Sequence, residues 1–249
     1  MGNIQKDQVS QAAREAEIEK LFSEVPYESE VLVDLPSKGR FYKEFNGLKI
    51  SPLLFEDEQK ILMSKNKNIN PINEIISKCI DGVDVNDLLD VDKLYILLKI
   101  KEISYGPEYK FSIMCPACGA NGQSTLPIKE IPVNYIPEDI PDPKEITLPV
   151  LKAKVKLRFL RTRDEKYFAK NEDFLTNLYR LIVSINENKD PVFISKVVRK
   201  LHIRDVKTIK NEINNKQYGV DTTFRFECPS CGHNSIVNIP FDSNFFSVS

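Results

Sequence analysis

Two short stretches, CPACG at Cys115–Gly119 and CPSCG at Cys228–Gly232, restrict this chain more than any other feature. Each is a Cys-x-x-Cys pair with Pro after the first cysteine and Gly after the second. Such a pair turns tightly, so that backbone N–H groups point at sulfur while the glycine takes a positive φ. One pair cannot close a tetrahedral metal site, whereas two together supply an all-thiolate set with no position left for water. That donor set predicts one structural zinc per chain, held by Cys115, Cys118, Cys228 and Cys231. Iron would accept the same ligands, and the sequence leaves that choice open. Two redox-active dithiols are disfavoured, because each pair sits at a strand-to-strand turn and not at a helix start, where thiolate character rises. A shared metal would close the loop from Cys118 to Cys228, acting as a staple and not as a catalyst.

The surroundings of the two knuckles match as well. YGPEYKFSIMCPACGANGQSTLPI aligns without a gap on YGVDTTFRFECPSCGHNSIVNIPF, placing Tyr105 on Tyr218, Cys115 on Cys228, Asn121 on Asn234 and Pro127 on Pro240. A looser match pairs LKISPLLFEDEQK with VKLRFLRTRDEKY, each an alternating strand running into Asp-Glu (Asp57-Glu58 and Asp164-Glu165). Duplication explains this better than chance likeness between two knuckles. The fold class expected is therefore α+β: tandem strand–helices–knuckle-hairpin repeats, joined by one shared four-cysteine site resembling a zinc ribbon.

The expected boundaries are an N-terminal helical arm (1–25), a first repeat (26–130), a proline-rich extended linker (131–149) and a second repeat (150–249). Apolar spacing predicts helices over Asp57–Asn66, Pro71–Cys79 and Asp92–Ile103, then Asp164–Lys170, Asp173–Ile185, Pro191–Leu201 and Asp205–Asn215. In Asp92–Ile103 the stripe is Leu94, Leu97 and Leu98, with Lys101-Glu102 on a polar back. In Asp173–Ile185 it is Phe174, Leu178, Leu181, Ile182 and Ile185. The linker holds Pro132, Pro137, Pro141, Pro143 and Pro149, which fix φ and remove donors. In the arm, Val9, Ala13, Ala16, Ile18, Leu21 and Phe22 form a narrow stripe. It reads either as a frayed helix or as a segment that folds against a partner.

Other features exclude more than they assign. The chain of 249 residues is 41% hydrophobic with net charge −1, enough for a real core and too balanced to coat nucleic acid by bulk charge. It contains no apolar run of membrane-spanning length, and its start reads as neither a secretory signal nor, with Lys6 where Ser or Thr is wanted, a myristoylation site. There is no Walker A, GxGxxG, HExxH or GxSxG pattern, so no enzyme activity is expected. Cys79 beside Ile75 and Ile76 reads as a small core residue, and His202 and His233 as structural or exposed. The carboxylates of DGVDVNDLLDVDK (Asp81–Lys93) lack the EF-hand glycine and terminal glutamate, and read as a solvated loop and helix start.

Two partner classes remain. The stretches KAKVKLRFLRTRDEKYFAK and KVVRKLHIRDVKTIK are basic, while the arm and Asp81–Asp92 are acidic. This asymmetry suits either a phosphate-binding face, as in a zinc-ribbon nucleic-acid-binding or transcription-associated protein, or complementary contacts between protein subunits. Stacking aromatics near those lysines are sparse (Phe159, Tyr167, Phe168), which favours protein partners. The turn Leu35-Pro36-Ser37-Lys38-Gly39, followed by Phe41 and Tyr42, is expected to be exposed. Pro36, Ser37, Lys38, Gly39, Phe41 and Tyr42 are thus candidate partner contacts, with an ordinary hairpin connection as the plainer alternative.

The segment VLVDLPSKGRFYKEFNGLKISPLLFEDEQKIL (Val31–Leu62) resembles the start of a tail-baseplate family of T-even-type bacteriophages. DVDKLYILLKIKEISYGPEY (Asp90–Tyr109), followed by CPxCG, resembles that family's middle and its zinc-bearing members. The resemblance spans roughly residues 30–240. It implies a non-enzymatic structural or assembly protein of the central hub, working with other tail proteins or with copies of itself in a symmetric oligomer. It would be made in the host cytoplasm, either remaining in the virion or leaving as an assembly factor. Neither a small-molecule substrate nor a membrane is implied.

Overall fold

Alternation in Leu48-Lys49-Ile50 buries both apolar residues and exposes the lysine, making the central strand of a small antiparallel sheet. In this computed structural model, which describes residues 2–23, 29–32, 34–63, 71–168, 176–213, 217–241 and 245, that strand is β2. It lies between β1 (Glu30–Leu32) and β3 (Ile80–Asp81), with Leu32 opposite Leu48 and Ile80 opposite Ile50. A helix, α1 (Gly2–Ser23), precedes the sheet, and α2 (Phe55–Met63) and α3 (Pro71–Cys79) connect β2 to β3. Then come α4 (Asp90–Tyr105) and the hairpin of β4 (Glu108–Met114) and β5 (Asn121–Pro127). Tyr109, Phe111 and Ile113 alternate into the core from β4, as a half-buried strand requires.

Helix α4 departs from the amphipathic pattern expected for it. Ile96, Leu97, Leu98 and Ile100 are all buried, so the helix is enclosed nearly all round and its polar residues need internal partners. Buried Lys93 pairs with Glu165. Lys101 donates to the Phe245 carbonyl at 2.6 Å and faces the rings of Tyr105, Tyr109 and Phe245, and burial lowers its pKa.

The proline-rich stretch belongs to the body more closely than a linker would. Its β6 (Val133–Asn134) pairs with β10 (Gly219–Val220), and its β7 (Lys144–Thr147) is the edge of a second three-stranded sheet, followed by β8 (Lys154–Leu157) in the centre and β9 (Ile182–Ile185). Ile131, Ile136 and Leu148 are buried. The extended φ that proline imposes is compatible with edge strands, which is how the segment is used.

The second sheet is backed by α5 (Glu165–Phe168), α6 (Pro191–Val198) and α7 (Ile203–Ile213). Asp190 caps α6 by accepting from the Val192 and Phe193 amides, with Pro191 in the first turn. Of the helix expected over Asp173–Ile185, residues 176–177 are helical, Leu178–Leu181 form a 3-10 turn and Ile182–Ile185 form β9, while residues 173–175, Phe174 among them, lie outside the described residues. Leu178, Leu181, Ile182 and Ile185 are buried as expected, from a turn and a strand. The β-branched run Ile182-Val183 favours the strand, and β8 supplies its partner.

The apolar residues fall into two cores. One unites β1–β3, α3, α4 and β4–β5 with Phe226, Cys228, Ile239 and Phe245 from the far end of the chain. The other is local, built from Leu148, Val155, Leu157, Leu178, Ile182, Ile185, Ile194 and Ile209. The stretch expected as the second repeat, 150–249, is thus divided. Its sheet and helices form the second core, while its knuckle hairpin, β11 (Thr223–Glu227) with β12 (Asn234–Asn238), joins the first. No described helix is long and apolar enough to cross a membrane.

Candidate metal centre

The hairpins β4–β5 and β11–β12 lie face to face. Phe111 meets Phe224 edge-on at 5.4 Å between centroids. Gly122 on β5 sits under Phe226, where an added Cβ would lie 2.8 Å from the ring. This close approach brings the two turns together at one end.

At that end Cys115, Cys118, Cys228 and Cys231 converge, with all four sulfur atoms within 4.8 Å of one another. Cys115 Sγ lies 3.8 Å from Cys231 Sγ, and Cys118 Sγ lies 3.7 Å from Cys228 Sγ. A zinc–thiolate bond of about 2.3 Å gives a tetrahedron with edges of about 3.8 Å. The donor set and its spacing therefore fit a four-coordinate thiolate metal.

The two knuckles are built alike. The Gly119 amide donates to the Cys115 carbonyl at 2.9 Å and the Cys115 amide to the Ala120 carbonyl at 2.8 Å. Gly232 repeats the first bond on Cys228 at 2.9 Å, and the Cys228 amide reaches the His233 carbonyl at 3.0 Å. Gly119 and Gly232 have φ of 72° and 68°, so each turn uses the left-handed conformation expected of its glycine. Cys115 and Cys228 are buried, while Cys118 and Cys231 face outward.

The electrostatics of the cluster are those of thiols competing for ionisation. Burial disfavours the Cys228 thiolate, but amides of Cys231 and Ser230 and neighbouring thiols donate to it, and its pKa falls to about 6. Cys231 accepts from the His233 amide, yet Cys118, burial and the other sulfurs oppose its charge, and it is pushed up to about 12. A divalent cation among the four would let all of them ionise together. Cys79 stands apart in the first core, its thiol pushed up to about 11 by burial.

The segment Leu35–Tyr42 takes a different place from the exposed turn expected. Pro36, Ser37 and Gly39 are buried, Phe41 and Tyr42 are half-buried, and Lys38 and Arg40 point outward. The anchor is Asp92, which has no solvent exposure. Its carboxylate accepts from the Ser37 amide at 2.8 Å, the Ser37 hydroxyl at 2.5 Å and the Tyr42 hydroxyl at 2.6 Å. Tyr42 also accepts from the Leu89 amide at 3.0 Å, and Ser37 Oγ from the Gly39 amide at 3.1 Å. Burial raises the Asp92 pKa, while Ser37, Tyr42 and the nearby Arg161 guanidinium draw it back. Burial, then Asp92, raises the Tyr42 pKa. Gly39 has φ of 68°, and a Cβ there would sit 2.0 Å from the Phe45 ring.

The same turn meets the second body. Arg161 donates to the Asp87 carbonyl at 2.7 Å and the Phe41 carbonyl at 3.2 Å, and the Phe41 and Phe159 rings lie 5.5 Å apart. Asp92 and Arg161 gave no sign of this in the sequence. Asp92 looked like one of several solvated carboxylates, and only the distant Ser37 and Tyr42 set it apart.

Among known proteins, residues 27–247 match the family model described as T4 bacteriophage base plate protein. No curated protein and no solved structure matches the chain.

Proposed function

The chain belongs to the T4 bacteriophage base plate protein family, and from that premise we propose that it is a non-enzymatic structural or assembly protein of the tail baseplate hub, stapled by one zinc. The match over most of the chain carries the tail assignment. The meeting of four sulfurs from two distant hairpins carries the metal. Cys115, Cys118, Cys228 and Cys231 would hold the ion, which supplies cross-linking and no open coordination position.

The contact pattern supports a duplicated chain. Phe111 and Phe224 are equivalent in the sequence alignment and touch each other. Cys115 meets Cys231, and its equivalent Cys228 meets Cys118. Such reciprocity is what a two-fold axis produces. Two three-stranded antiparallel sheets, β1-β2-β3 and β7-β8-β9, also recur, each with its second strand in the centre, the second drawing β7 from the proline-rich stretch. Of the turn residues expected to meet partners, only Lys38 is exposed, and it pairs with Glu138 while the neighbouring Arg40 donates to the Ile136, Pro137 and Glu138 carbonyls, so the turn is held against the chain's own body.

Quantitative mass spectrometry of purified virions and of infected-cell lysates tests the tail assignment. A fixed copy number relative to known tail proteins supports a built-in part, and presence only on tail precursors supports an assembly factor. Absence from both overturns the proposal. Metal analysis of the purified chain tests the staple, with about one zinc per chain expected.

A further inference from the structure

The second body carries a basic pocket of about 390 Å³ that neither the metal centre nor the turn uses. Arg158, Arg163, Lys166, Arg180 and Lys189 line it, and among the described residues Asp164 is its sole carboxylate. That carboxylate is already engaged, accepting from Arg158 at 2.6 and 2.8 Å and from the Arg161 amide at 3.0 Å. Arg163 pairs with Asp87. Glu187, whose charge Lys189 favours, is bonded to Lys156 at 2.8 Å. Among the described residues, Lys166, Arg180 and Lys189 form no ion pair with a carboxylate. The pocket therefore gathers positive charge that the chain itself does not balance, and an arriving anion would relieve that repulsion.

Arg180 is the most firmly placed of these cations. Its guanidinium carbon lies 3.9 Å from the Tyr167 ring centroid and 5.3 Å from that of Tyr179, and its Nε donates to Asn177 at 3.0 Å. Its two terminal nitrogens have no acceptor among the described residues, so a planar fork is held open. Such a fork matches the two oxygens of a carboxylate, and stacking on a ring fixes its plane before anything binds. Ile182 and Ile194, both buried, supply an apolar part of the same lining.

We propose that this pocket docks an acidic segment of a protein partner, seating one carboxylate side chain on the Arg180 fork with Lys166 and Lys189 around it, and an adjoining apolar side chain on the Ile182 and Ile194 lining. A nucleic-acid backbone calls instead for an extended basic track, whereas these cations are confined to one compact site. Tyr167 is also covered by Arg180 and Lys166, which removes a face for base stacking. The inference deepens the baseplate reading by giving the chemistry of one partner. Its test uses the isolated chain, so it can fail while the virion measurement stands.

The labelled full chain, applied to an array of random short peptides at about 50 mM salt, tests it. The retained peptides should be enriched in Asp or Glu beside an apolar residue, and their binding should weaken at least about tenfold at about 0.5 M salt. Arg180→Gln should lower that binding at least about tenfold with unchanged circular dichroism. Lys166→Gln/Lys189→Gln, at exposed positions that folding does not depend on, should do the same. Lys152→Gln/Lys207→Gln removes two exposed charges of the same body outside the pocket and should leave binding unchanged. Wild type without acidic enrichment, or enrichment that both pocket variants retain, overturns the proposal. Equal loss in the Lys152 and Lys207 variant overturns it as well, by reducing the effect to bulk charge. Salt-sensitive binding of duplex DNA in place of acidic peptides overturns it in favour of nucleic acid.

Discussion

Tyr42→Phe isolates the network that holds the Leu35–Tyr42 turn, because it keeps the ring beside Phe45 and deletes one hydroxyl. Two bonds go with it. The amide of Leu89, a residue with no exposure, loses its acceptor, and stranding a buried N–H costs about 1–3 kcal/mol. Asp92 loses one of three donors, a contact to a charged group that contributes about 1.5–3 kcal/mol. Both losses come from one group and relax together, so the expected net destabilisation is about 2–4 kcal/mol.

The pH dependence has a definite sign. Burial raises the folded pKa of Asp92, so its contribution is fully present below the unfolded value of about 4 and is lost as pH rises through the folded value. Removing a donor that favours the carboxylate raises the folded pKa further, so the variant should lose more stability toward neutral pH than in mild acid. Urea unfolding of wild type and variant, compared at each pH with zinc saturating, cancels the metal's own pH dependence. A loss below about 0.5 kcal/mol at neutral pH, or one that grows toward acid, would falsify the buried-network account.

Four other outcomes follow from the geometry. Cys118→Ser should drop zinc content well below one per chain, and a chelator should then leave the unfolding midpoint unchanged. Gly122→Val should drive a wedge into the Phe226 ring and weaken zinc retention in chelator competition, although valine suits a strand. Gly39→Ala should cost about 2 kcal/mol or more in urea unfolding, because its Cβ meets Phe45 and its φ is positive. The Asp164 pKa lies below the ordinary carboxylate range: burial opposes the charge, and Arg158 and the Arg161 amide outweigh it. Its contribution is therefore present above the unfolded pKa of about 4 and lost as pH falls through the folded value, and Arg158→Gln should flatten that acid limb in denaturation curves.

The knuckles were legible because metal chemistry demands a fixed local pattern, and the strands around them because alternation is local too. What the sequence hid was non-local. Nothing within ten residues separates Asp92 from Asp90, yet Asp92 alone meets Ser37 and Tyr42. The run Leu178–Ile185 buries its apolar residues at helical spacing, and only pairing with Lys154–Leu157 makes its second half a strand. The union of both hairpins in one core depends on Gly122 and Phe226, residues ordinary in their own neighbourhoods.

Because Leu32 and Phe245 belong to the same core while residues 148–209 close a core of their own, the order of synthesis and the order of folding run differently. On the ribosome, the later-made middle can complete itself while the earlier-made sheet still lacks its last hairpin. The first core is finished, and the fourth thiolate delivered, only when the β11–β12 hairpin and Phe245 have emerged. Capture of the proposed metal would thereby wait for the second hairpin, and a chain terminated before Cys228 would lack both the thiolate set and the wall it fastens.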